Sequence, residues 1–408
     1  MEFIEGVYFF YMFVSLFFLN LVLLLYLHNK KRLFHIPELT ENYSLSVLIP
    51  AYNEEKTIAD TIRHVFESNY RGIKEVIVIN DGSKDNTSRI AHSLKKQYPK
   101  LVIIDKANSG KADSLNYALK YVKGEFIAII DADSYPEKTA FSHLMGYFSD
   151  KQVGAVTAAC TPKNRNNFLE RLQTIEYKVI AFTRKLLEYI DSIYVVPGSM
   201  SVYRKKALLE TGGFDKTNLT EDIESTWHIL KNGWKIRMCL AAKVNTTVPS
   251  RFKAWWVQRV RWTIGGFQVL KKYLKYIFQR GMFGYFVIPF FAFGLIIGIL
   301  GLVIFFALLA SKTLGQIEIL LYKMSAKVAI VSFSGITITP TVLNYFGIAL
   351  FVLFLIFTMF VLFVMKDKLL RNENSFEILV YMTLYLVVYP FMIIWSIYKW
   401  AKGEKKWR

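Results

Sequence analysis

The sequence predicts an α/β domain with a mainly parallel sheet, flanked by helices that cross a membrane. Two observations support this fold class. Between residues 44 and 250, short apolar runs alternate with polar segments of helix length, which is the pattern of a sheet covered by helices on both faces. Outside that range, uncharged apolar blocks reach the ~20 residues that a helix needs to cross a bilayer.

The composition favours a membrane protein over one that binds nucleic acid. Of the 408 residues, 53% are apolar, and the excess lies at the two ends of the chain. The formal net charge is +19, but the basic residues flank the apolar blocks, as they do in membrane proteins. Only Cys160 and Cys239 are present, which predicts neither a disulfide framework nor a zinc site. A reduced, cytosolic middle domain is therefore expected.

The first apolar block predicts an uncleaved membrane anchor over residues 1–32. Residues 7–27 carry no charge, Glu2 and Glu5 precede them, and a basic cluster at 30–32 follows. A signal peptide has the opposite flanks, with basic residues ahead of the block and a cleavage site behind it. The basic cluster predicts that the chain after the anchor lies in the cytosol.

The C-terminal region, residues 282–408, is predicted to hold further membrane-spanning segments. Apolar blocks occur at about 282–310, 342–365 and 376–398. Pro390 divides the last block, which is compatible with a span, a hairpin or a helix on the membrane surface. The number of crossings and the side of the basic C-terminus therefore stay open.

Within the middle domain, four predicted strands each end in polar residues. In order they read LSVLIPAYNEE, EVIVINDGSKDNT, LVIIDKANSGKADSLNYAL and EFIAIIDADSYP. Ligands bind at the carboxyl ends of the strands in such sheets, where Glu54, Asp81, Asp131 and Asp133 are expected. Each acid alone is compatible with an ordinary turn. Together they predict an acidic cleft that a divalent cation with a diphosphate would neutralise.

Two common phosphate-binding patterns are absent from the sequence. The stretch ANSGKADS lacks the first glycine of a P-loop and the hydroxyl residue after its lysine, and no Gly-x-Gly-x-x-Gly follows the first strand. Kinase, ATPase and dinucleotide-binding functions are therefore disfavoured.

The stretch NLTEDIESTW predicts the start of a helix. Asn218 is expected to cap it, with Glu221 at the third position. Asp222 follows within the first turn, where the helix dipole favours the ionised carboxylate. A carboxylate that faces the cleft there is suited to act as a general base.

Two further segments have the composition of helices at a membrane surface. Residues 168–190 place apolar residues at helical spacing opposite basic ones, a pattern shared by interfacial helices and core helices. Residues 251–281 contain RFKAWWVQRVRW, in which Trp255 and Trp256 are predicted to lie at the membrane interface.

The motifs PAYNE, NDGSKDNT, NSGKADSLN, DAD, TED and QRVRW, in this order, resemble the membrane-embedded family 2 glycosyltransferases. Among these, the chain resembles the processive branch, which makes cellulose, chitin, hyaluronan and poly-N-acetylglucosamine. The resemblance covers about residues 44–270 and the flanking apolar segments. It implies a GT-A-like, Rossmann-type catalytic domain over 44–250, followed by an interfacial region over 251–281.

The resemblance implies that the domain binds a UDP-sugar and a divalent cation, Mg²⁺ or Mn²⁺. The residues that would bind the donor nucleotide are Tyr52, Glu54, Asp81, Lys111 and Asp131. Asp131 and Asp133 would hold the cation and the diphosphate. Asp222, in the motif with Glu221, would deprotonate the acceptor hydroxyl.

The family pattern also implies a site for the acceptor sugar and the leaving diphosphate. Its residues would be Gly198, Ser199, Gln258, Arg259, Arg261 and Trp262. Trp262 would offer an aromatic face to the acceptor, and Arg259 or Arg261 would meet the diphosphate. Indoles and basic residues in this segment thus serve a sugar and a membrane surface, and nucleic acid is not the expected partner.

The expected function is an inverting, processive transferase that adds N-acetylglucosamine to a β-linked polymer and exports it. Residues 198–237, from GSMSVYRKK to GWKIR, most resemble the poly-N-acetylglucosamine synthases. The stretch after GWKIR lacks the Glu-Pro and Pro-Glu-Thr sequences that this resemblance implies, so the sugar and the linkage stay open, and chitin-like or mixed polymers remain alternatives. The alternatives are a non-processive transferase with a glycolipid product and a catalytically inactive membrane scaffold. The expected location is the plasma membrane, with several crossings and a cytoplasmic catalytic domain. Accessory subunits for export or regulation are compatible with this function.

Overall fold

This computed structural model describes residues 2–326, 342–365 and 375–403. Within these ranges, eight strands form one sheet in the order β3-β2-β1-β4-β7-β6-β8-β5. The strands are β1 Leu45–Ala51, β2 Ile73–Asp81, β3 Leu101–Lys106, β4 Phe126–Ile129, β5 Ser134–Pro136, β6 Val153–Pro162, β7 Ser201–Arg204 and β8 Lys235–Thr246.

The four strands read from the sequence form the parallel half of the sheet. β1 pairs in parallel with β2 and with β4, and β2 pairs in parallel with β3. The other half is mixed, because β7 runs antiparallel to both β4 and β6, and β5 runs antiparallel to β8. The prediction of a mainly parallel sheet therefore holds for the first half of the domain.

Helices cover both faces of this sheet, as a parallel arrangement requires. The side chains of β1 alternate between the faces: Val47 and Ile49 belong to one hydrophobic cluster and Leu48 to the other. The helices of the domain are α2 Ile58–Phe66, α3 Thr87–Leu94, α4 Lys111–Ala118, α5 Ala140–Met145, α6 Phe168–Glu188, α7 Lys205–Glu210, α8 Glu221–Lys231 and α9 Phe252–Tyr273.

Four further helices form the apolar part of the molecule: α1 Glu2–Asn29, α10 Ile288–Ser325, α11 Val342–Val364 and α12 Ser375–Ala401. Within the described ranges, three stretches are long and apolar enough to cross a membrane. They are Phe9–Arg32, Phe283–Ser325 and Phe376–Ala401, and a shorter apolar helix covers Ile348–Val364.

Two boundaries in this region differ from the sequence prediction. The block expected to end near residue 310 continues as one helix to Ser325, because residues 311–325 keep the helical hydrogen bonds. Pro390 lies inside α12, which runs through it as one helix, so the hairpin interpretation is wrong. Between the first two blocks the sequence is only mildly apolar over 313–341, and the part of this stretch that contains Lys327 and Pro340 lies outside the described residues.

Helix α6 lies between the sheet and the apolar helices. It contacts β6 and β8 on one side and α1, α11 and α12 on the other. Its first turn has a capping box, in which the Asn167 side chain accepts from the Glu170 amide and Glu170 accepts in return. Of the basic residues opposite the apolar ones, Lys178 and Lys185 are buried, as they would be in a core helix. Lys185 is accommodated there by a 2.9 Å ion pair with Glu188.

Candidate active site

The acidic residues selected from the sequence lie around the ends of β1, β2 and β4. Asp81 is the last residue of β2, Glu54 follows β1, and Asp131 and Asp133 follow β4. Since β1 is hydrogen-bonded to both β2 and β4, these ends are adjacent in space. This crevice is where ligands bind in open α/β sheets.

Lys111 lies at the centre of this cluster. Its Nζ is 2.6 Å from Asp131 Oδ1 and 2.8 Å from Glu221 Oε1. The lysine is the first residue of α4, and Gly110 before it has φ 95°, a left-handed conformation that favours glycine. Burial alone would lower the pKa of Lys111, but the charges of Asp131, Glu221 and Asp222 raise it above its ordinary value. The ammonium therefore stays charged and holds the two carboxylates together.

Gly198 closes one side of the Lys111–Asp131 pair. A Cβ at this position would lie 2.5 Å from Lys111 Nζ and 3.1 Å from Asp131 Oδ1. The backbone amide of Asp131 donates to the Gly198 carbonyl at 3.1 Å. Ser199, the next residue, is buried beside Cys160. The predicted acceptor loop thus lies directly against Lys111 and Asp131, and a side chain at position 198 would have to displace the Lys111 ammonium.

Asp133 lies two residues after Asp131, beside Ser134 and Thr246. The hydroxyls of Ser134 and Thr246 are each 3.4 Å from Asp133 Oδ1, which is too long for strong hydrogen bonds. Burial, followed by the charges of Asp131 and Glu54, raises the pKa of Asp133 to about 7. This part of the site has more negative charge than its own cations neutralise.

The donor set of Asp131 and Asp133 fits Mg²⁺ or Mn²⁺. Among the residues that the structure describes, no three Asp, Glu, His or Cys side chains could hold a metal ion by themselves. Such ions need only one or two protein carboxylates when substrate phosphates supply further oxygens. The raised pKa of Asp133 supports the fit, because a bound cation would stabilise the ionised form.

Asp81 organises the loop that leads to Lys111. Its Oδ1 accepts from Lys106 Nζ at 2.8 Å and from the Ser109 amide at 3.0 Å. Its Oδ2 accepts from the Gly110 amide at 2.8 Å. Burial would raise the pKa of Asp81, but these donors lower it below its ordinary value. The carboxylate of this predicted nucleotide residue is therefore bound to its own loop.

Two other predicted nucleotide residues lie on the loop after β1. Glu54 accepts from Thr57 Oγ1 at 2.7 Å, and burial raises its pKa. Tyr52 is 44% exposed, so its ring is available to a ligand at the mouth of the crevice. Asn53 lies between them with φ 56°, a left-handed conformation that turns the chain sharply, so that the chain changes direction between Tyr52 and Glu54.

Helix α8 places two acids with different pKa values next to Lys111. Burial would raise the pKa of Glu221, but the charge of Lys111 lowers it. Burial and the charge of Glu221 raise the pKa of Asp222 to about 6. Asp222 Oδ1 accepts from the Ile223 amide at 2.9 Å within the first turn. Two carboxylates with different pKa values are typical of a site for proton transfer.

The start of α8 differs from the prediction. The helix begins at Glu221 with Thr220 as its N-cap, so Asn218 does not cap it. Instead, Asn218 Oδ1 accepts from the Thr220 amide at 2.8 Å and from the Thr220 hydroxyl at 3.0 Å. The asparagine forms a local turn before the helix, an alternative open to short polar side chains.

Helix α9 carries QRVRW and crosses the start of α8 closely. A Cβ on Gly265 would lie 2.5 Å from Thr220 Cγ2, so only a glycine permits this approach. Gln268 Oε1 accepts from the Leu219 amide at 2.9 Å on the same side. The charge of Arg261 contributes to the lowered pKa of Glu221, which places Arg261 near the centre.

Arg259 is directed to α6. Its Nη2 is 2.6 Å from Glu176 Oε2, and both side chains are buried. The structure therefore corrects the assignment of Arg259 to the leaving diphosphate, because this guanidinium already has a buried carboxylate partner. Its Nη1 donates to Gln258 Oε1 at 2.9 Å, and its guanidinium carbon lies 4.1 Å from the centre of the Trp262 ring.

The two tryptophans before the motif have different environments. Trp255 is fully buried, and its ring centre is 5.9 Å from that of Tyr385 on α12. Its predicted place at the membrane interface is therefore wrong, since the docked α12 covers it. Trp256 is half-buried, as an interfacial residue would be.

A cavity of about 570 Å³ opens beside α9. Its lining combines basic, polar and apolar residues, namely Pro249, Arg251, Lys253, Ala254, Val257, Gln258 and Arg261. Two residues of the predicted acceptor and diphosphate set, Gln258 and Arg261, thus face one space.

Several residues that shape this site were missed from the sequence. Glu176 binds Arg259, and it also accepts from Tyr385 at 2.7 Å and from Tyr389 at 2.8 Å. No sequence pattern links α6 with α12, because more than two hundred residues separate them. The GG pair within a helix could have indicated the close approach at Gly265, since glycine inside a helix needs a packing reason.

Residues 42–265 match the family model described as "Glycosyltransferase like family 2". The chain is similar to a poly-beta-1,6-N-acetyl-D-glucosamine synthase of Staphylococcus aureus (strain COL), with 32% identity over 244 residues, 59% of this chain and 58% of the relative. A synthase of the same name from Staphylococcus epidermidis is 33% identical over 228 residues, 55% of each chain. The chain thus spans less than two thirds of the length of these curated relatives.

The fold is similar to that of a mannosyltransferase from Pyrobaculum calidifontis, solved in complex with GDP-Man and Mn²⁺. The TM-score is 0.59 at 19% sequence identity, and the match covers 94% of this chain and 99% of the other. At this identity the likeness concerns the fold.

Proposed function

We propose, on the premise that the chain belongs to glycosyltransferase like family 2, that it transfers N-acetylglucosamine from a UDP-sugar to a growing β-linked polysaccharide. The observation that carries this proposal is the Lys111 bridge between Asp131 and Glu221, with Asp222 beside it. The choice of sugar is supported by the relatives named poly-beta-1,6-N-acetyl-D-glucosamine synthase.

The donor would bind across the ends of β1, β2 and β4. Tyr52, Glu54 and the loop held by Asp81 would surround the nucleotide. Asp131 and Asp133 would hold Mg²⁺ or Mn²⁺, which neutralises the charge of the diphosphate and of the departing UDP when bound. Lys111 and Arg261 would add positive charge next to the same phosphates.

Transfer would occur by a single displacement. The acceptor hydroxyl oxygen forms a bond to the anomeric carbon while the bond from that carbon to the diphosphate oxygen breaks. UDP leaves with the bonding electron pair, and the hydroxyl proton passes to the Asp222 carboxylate. An α-linked donor then gives a β-linked product. Glu221 would stay ionised and paired with Lys111, keeping that charge in place.

The acceptor would lie between Gly198 and the exposed side of Trp262. The cavity lined by Gln258 and Arg261 would extend this binding region along α9. Repeated transfer without release requires that the product stays bound after each addition. We infer that this extended region supports processive synthesis.

The transferase would work at the cytoplasmic face of the plasma membrane. Residues 44–250 would form the catalytic domain, 251–281 the interfacial region, and 1–32 with 282–408 the membrane part, which would also translocate the polymer. Aromatic and small polar side chains would line such a channel, and the candidates are Tyr285, Asn344, Tyr345, Tyr381 and Tyr385. Of these, Tyr285 is 62% exposed, and Tyr385 is bound to Glu176. The side chains of Asn344 and Tyr345 lie outside the described residues.

The test is UDP release from detergent-solubilised protein across a panel of UDP-sugars with Mg²⁺ or Mn²⁺, followed by sizing of the product. Among the UDP-sugars, we expect only UDP-N-acetylglucosamine to give UDP release, and we expect its product to be a ladder of polymer. Asp222→Asn serves as the inactive control. A single glycolipid that forms only after lipid is added would contradict the polymer, and no turnover of any UDP-sugar would contradict a transferase.

Export needs its own measurement in sealed vesicles that contain this protein alone. UDP-sugar is supplied outside, and a polymer-degrading enzyme is then added outside. We expect protected polymer inside the vesicles. Polymer that is fully degraded, in vesicles shown to be sealed, would mean that export needs a partner protein.

A further inference from the structure

A buried carboxylate joins three helices next to the QRVRW segment. Glu176 on α6 is 3% exposed and accepts three hydrogen bonds. Arg259 Nη2 on α9 donates at 2.6 Å, and the hydroxyls of Tyr385 and Tyr389 on α12 donate at 2.7 and 2.8 Å. A buried charge requires such partners, so the three helices must keep this arrangement for the carboxylate to be satisfied.

Arg259 transmits this arrangement to the motif. It touches both of its fixed neighbours, since it donates to Gln258 at 2.9 Å and stacks on the Trp262 ring at 4.1 Å. Arg259 is itself 1% exposed, so its guanidinium has no room to turn away. The ion pair with Glu176 therefore helps to fix the rotation of α9 about its own axis, together with the two tyrosines that bind the same carboxylate.

On α12, the two tyrosines lie one turn apart on the same face. Their rings stack at 5.2 Å, and the Tyr385 ring lies 5.9 Å from that of the buried Trp255. Four apolar side chains of α9 and α12 form a separate hydrophobic cluster here, consisting of Trp255, Val260, Ile264 and Met392. The contact is thus a packed interface with a charged centre.

We propose that Glu176, Tyr385 and Tyr389 are positioning residues that hold the Gln-x-x-Arg-Trp face of α9 against the active site. This inference rests on the proposed function and deepens it, because α12 becomes part of the catalytic apparatus. The three residues touch neither donor nor acceptor and act through Arg259. Loss of the tyrosine hydroxyls should let α9 rotate and displace Trp262 from the acceptor.

The alternative is that the cluster only holds the apolar helices to the domain. A second ion pair offers a comparison, because Arg171 Nε on α6 lies 2.6 Å from Glu377 Oε1 on α12, with the arginine 37% exposed and the glutamate buried. This pair also joins α6 to α12 but does not include α9. If these contacts only dock α12, then weakening the contact at Glu377 should lower kcat as much as removing the two tyrosine hydroxyls.

The test compares the double variant Tyr385→Phe/Tyr389→Phe with two controls in the full-length protein. Tyr398→Phe removes a hydroxyl from an exposed ring of the same helix, and Glu377→Gln weakens the other α6–α12 contact. The tyrosine variants are preferred to Glu176→Gln, which would leave the Arg259 charge unpaired in the interior and lower the stability of the fold.

We expect kcat with UDP-N-acetylglucosamine to fall about 10- to 100-fold in the double variant, since small misplacements of a binding group have effects of this size. The KM for the donor and the Kd for UDP should stay within about twofold, because the nucleotide region is unchanged. Amide hydrogen exchange over residues 255–263 should become faster. Both controls should keep the wild-type kcat and exchange.

Two results would overturn the proposal: an unchanged kcat with unchanged exchange, or an equal loss of kcat in Glu377→Gln. If the wild-type protein has no transferase activity, the proposed function is contradicted, but the hydrogen-exchange comparison can still be made. In that case faster exchange over 255–263 in the double variant alone would support the coupling of α12 to α9. Equal exchange in all variants would reject it.

Discussion

Lys111 sets the charge balance of the candidate active site. Its ammonium is shared between Asp131 and Glu221, and its charge also acts on Asp222. Glu221 is thereby kept ionised, while Asp222, next to that negative charge, has a pKa of about 6. A carboxyl group with this pKa is ionised at neutral pH and is still basic enough to accept a proton. The same residue that binds one acid thus leaves the other free to react.

Asp222→Asn tests the assignment of the base. The amide is nearly isosteric but cannot accept the acceptor proton, so transfer should fall by about 10²- to 10⁴-fold. UDP binding, measured by calorimetry, should stay near wild type, because Asp222 is assigned to the acceptor. Weak UDP binding in this variant would instead place Asp222 with the donor.

The pH dependence of transfer should report Asp222. Because its folded pKa is raised to about 6, the base becomes protonated as the pH falls through 6, and activity is lost on the acid side. We expect kcat/KM, which reports the free enzyme, to fall below about pH 6. Protein intactness is checked by circular dichroism at each pH. A flat profile down to pH 4.5 would rule out this carboxylate as the base.

At the scale of elements, the junction of α8 with α9 is what places the two motifs together. Gly265 lets α9 approach Thr220, the residue just before Glu221 and Asp222. Arg261 and Trp262 lie about one turn before Gly265 on α9, and the charge of Arg261 contributes to the lowered pKa of Glu221. The geometry of the site therefore depends on a contact that includes no charged group.

Gly265→Ala should disturb that junction. The added Cβ overlaps the Thr220 side chain, and such overpacking costs about 1–3 kcal/mol. We expect a lower kcat and a lower melting temperature. Gly294→Ala in α10 is the matched control, since nothing lies within 4 Å of that Cβ and activity should be retained. Equal activity in both variants would show that the close approach is dispensable.

The motif residues and the order of elements could be read from the sequence because both depend on local pattern. Alternating strands and helices gave the parallel strands, and the GT-A-like fold and family membership are confirmed. The direction of Arg259 is a different case. Helix spacing accounts for its contact with Trp262, three residues further on, but its carboxylate partner lies on a distant helix. Contacts such as Glu176 with Tyr385 depend on docking, which no local pattern encodes.

At the scale of the whole molecule, the length of the apolar helices bears on the membrane topology. The helical stretch Phe283–Ser325 has 43 residues, or about 65 Å, against a bilayer core of about 30 Å. It begins beside α8 and α9, so its other end must lie well beyond the opposite membrane surface if it crosses the bilayer. The catalytic domain and Ser325 are then on different sides.

Cysteine labelling tests this topology. Cys160 and Cys239 are buried, and burial raises the pKa of Cys160 to about 12, so the background reaction should be low. Lys56→Cys and Ser325→Cys introduce thiols at exposed positions. In right-side-out vesicles, an impermeant maleimide should label position 325 directly and position 56 only after permeabilisation. The reverse order would invert the orientation, and equal labelling would reject a crossing.

Because the Glu176–Arg259 pair is buried, it should respond to ionic strength differently from the pairs on the surface. Surface pairs such as Arg63–Asp60, each about half exposed, weaken when salt shortens the Debye length to about 3 Å near 1 M. The Glu176–Arg259 pair is closed to ions, at 4% and 1% exposure. With a net charge of +19, the molecule would lose much of its attraction for acidic headgroups in concentrated salt. The link between α9 and α12 would keep its strength there.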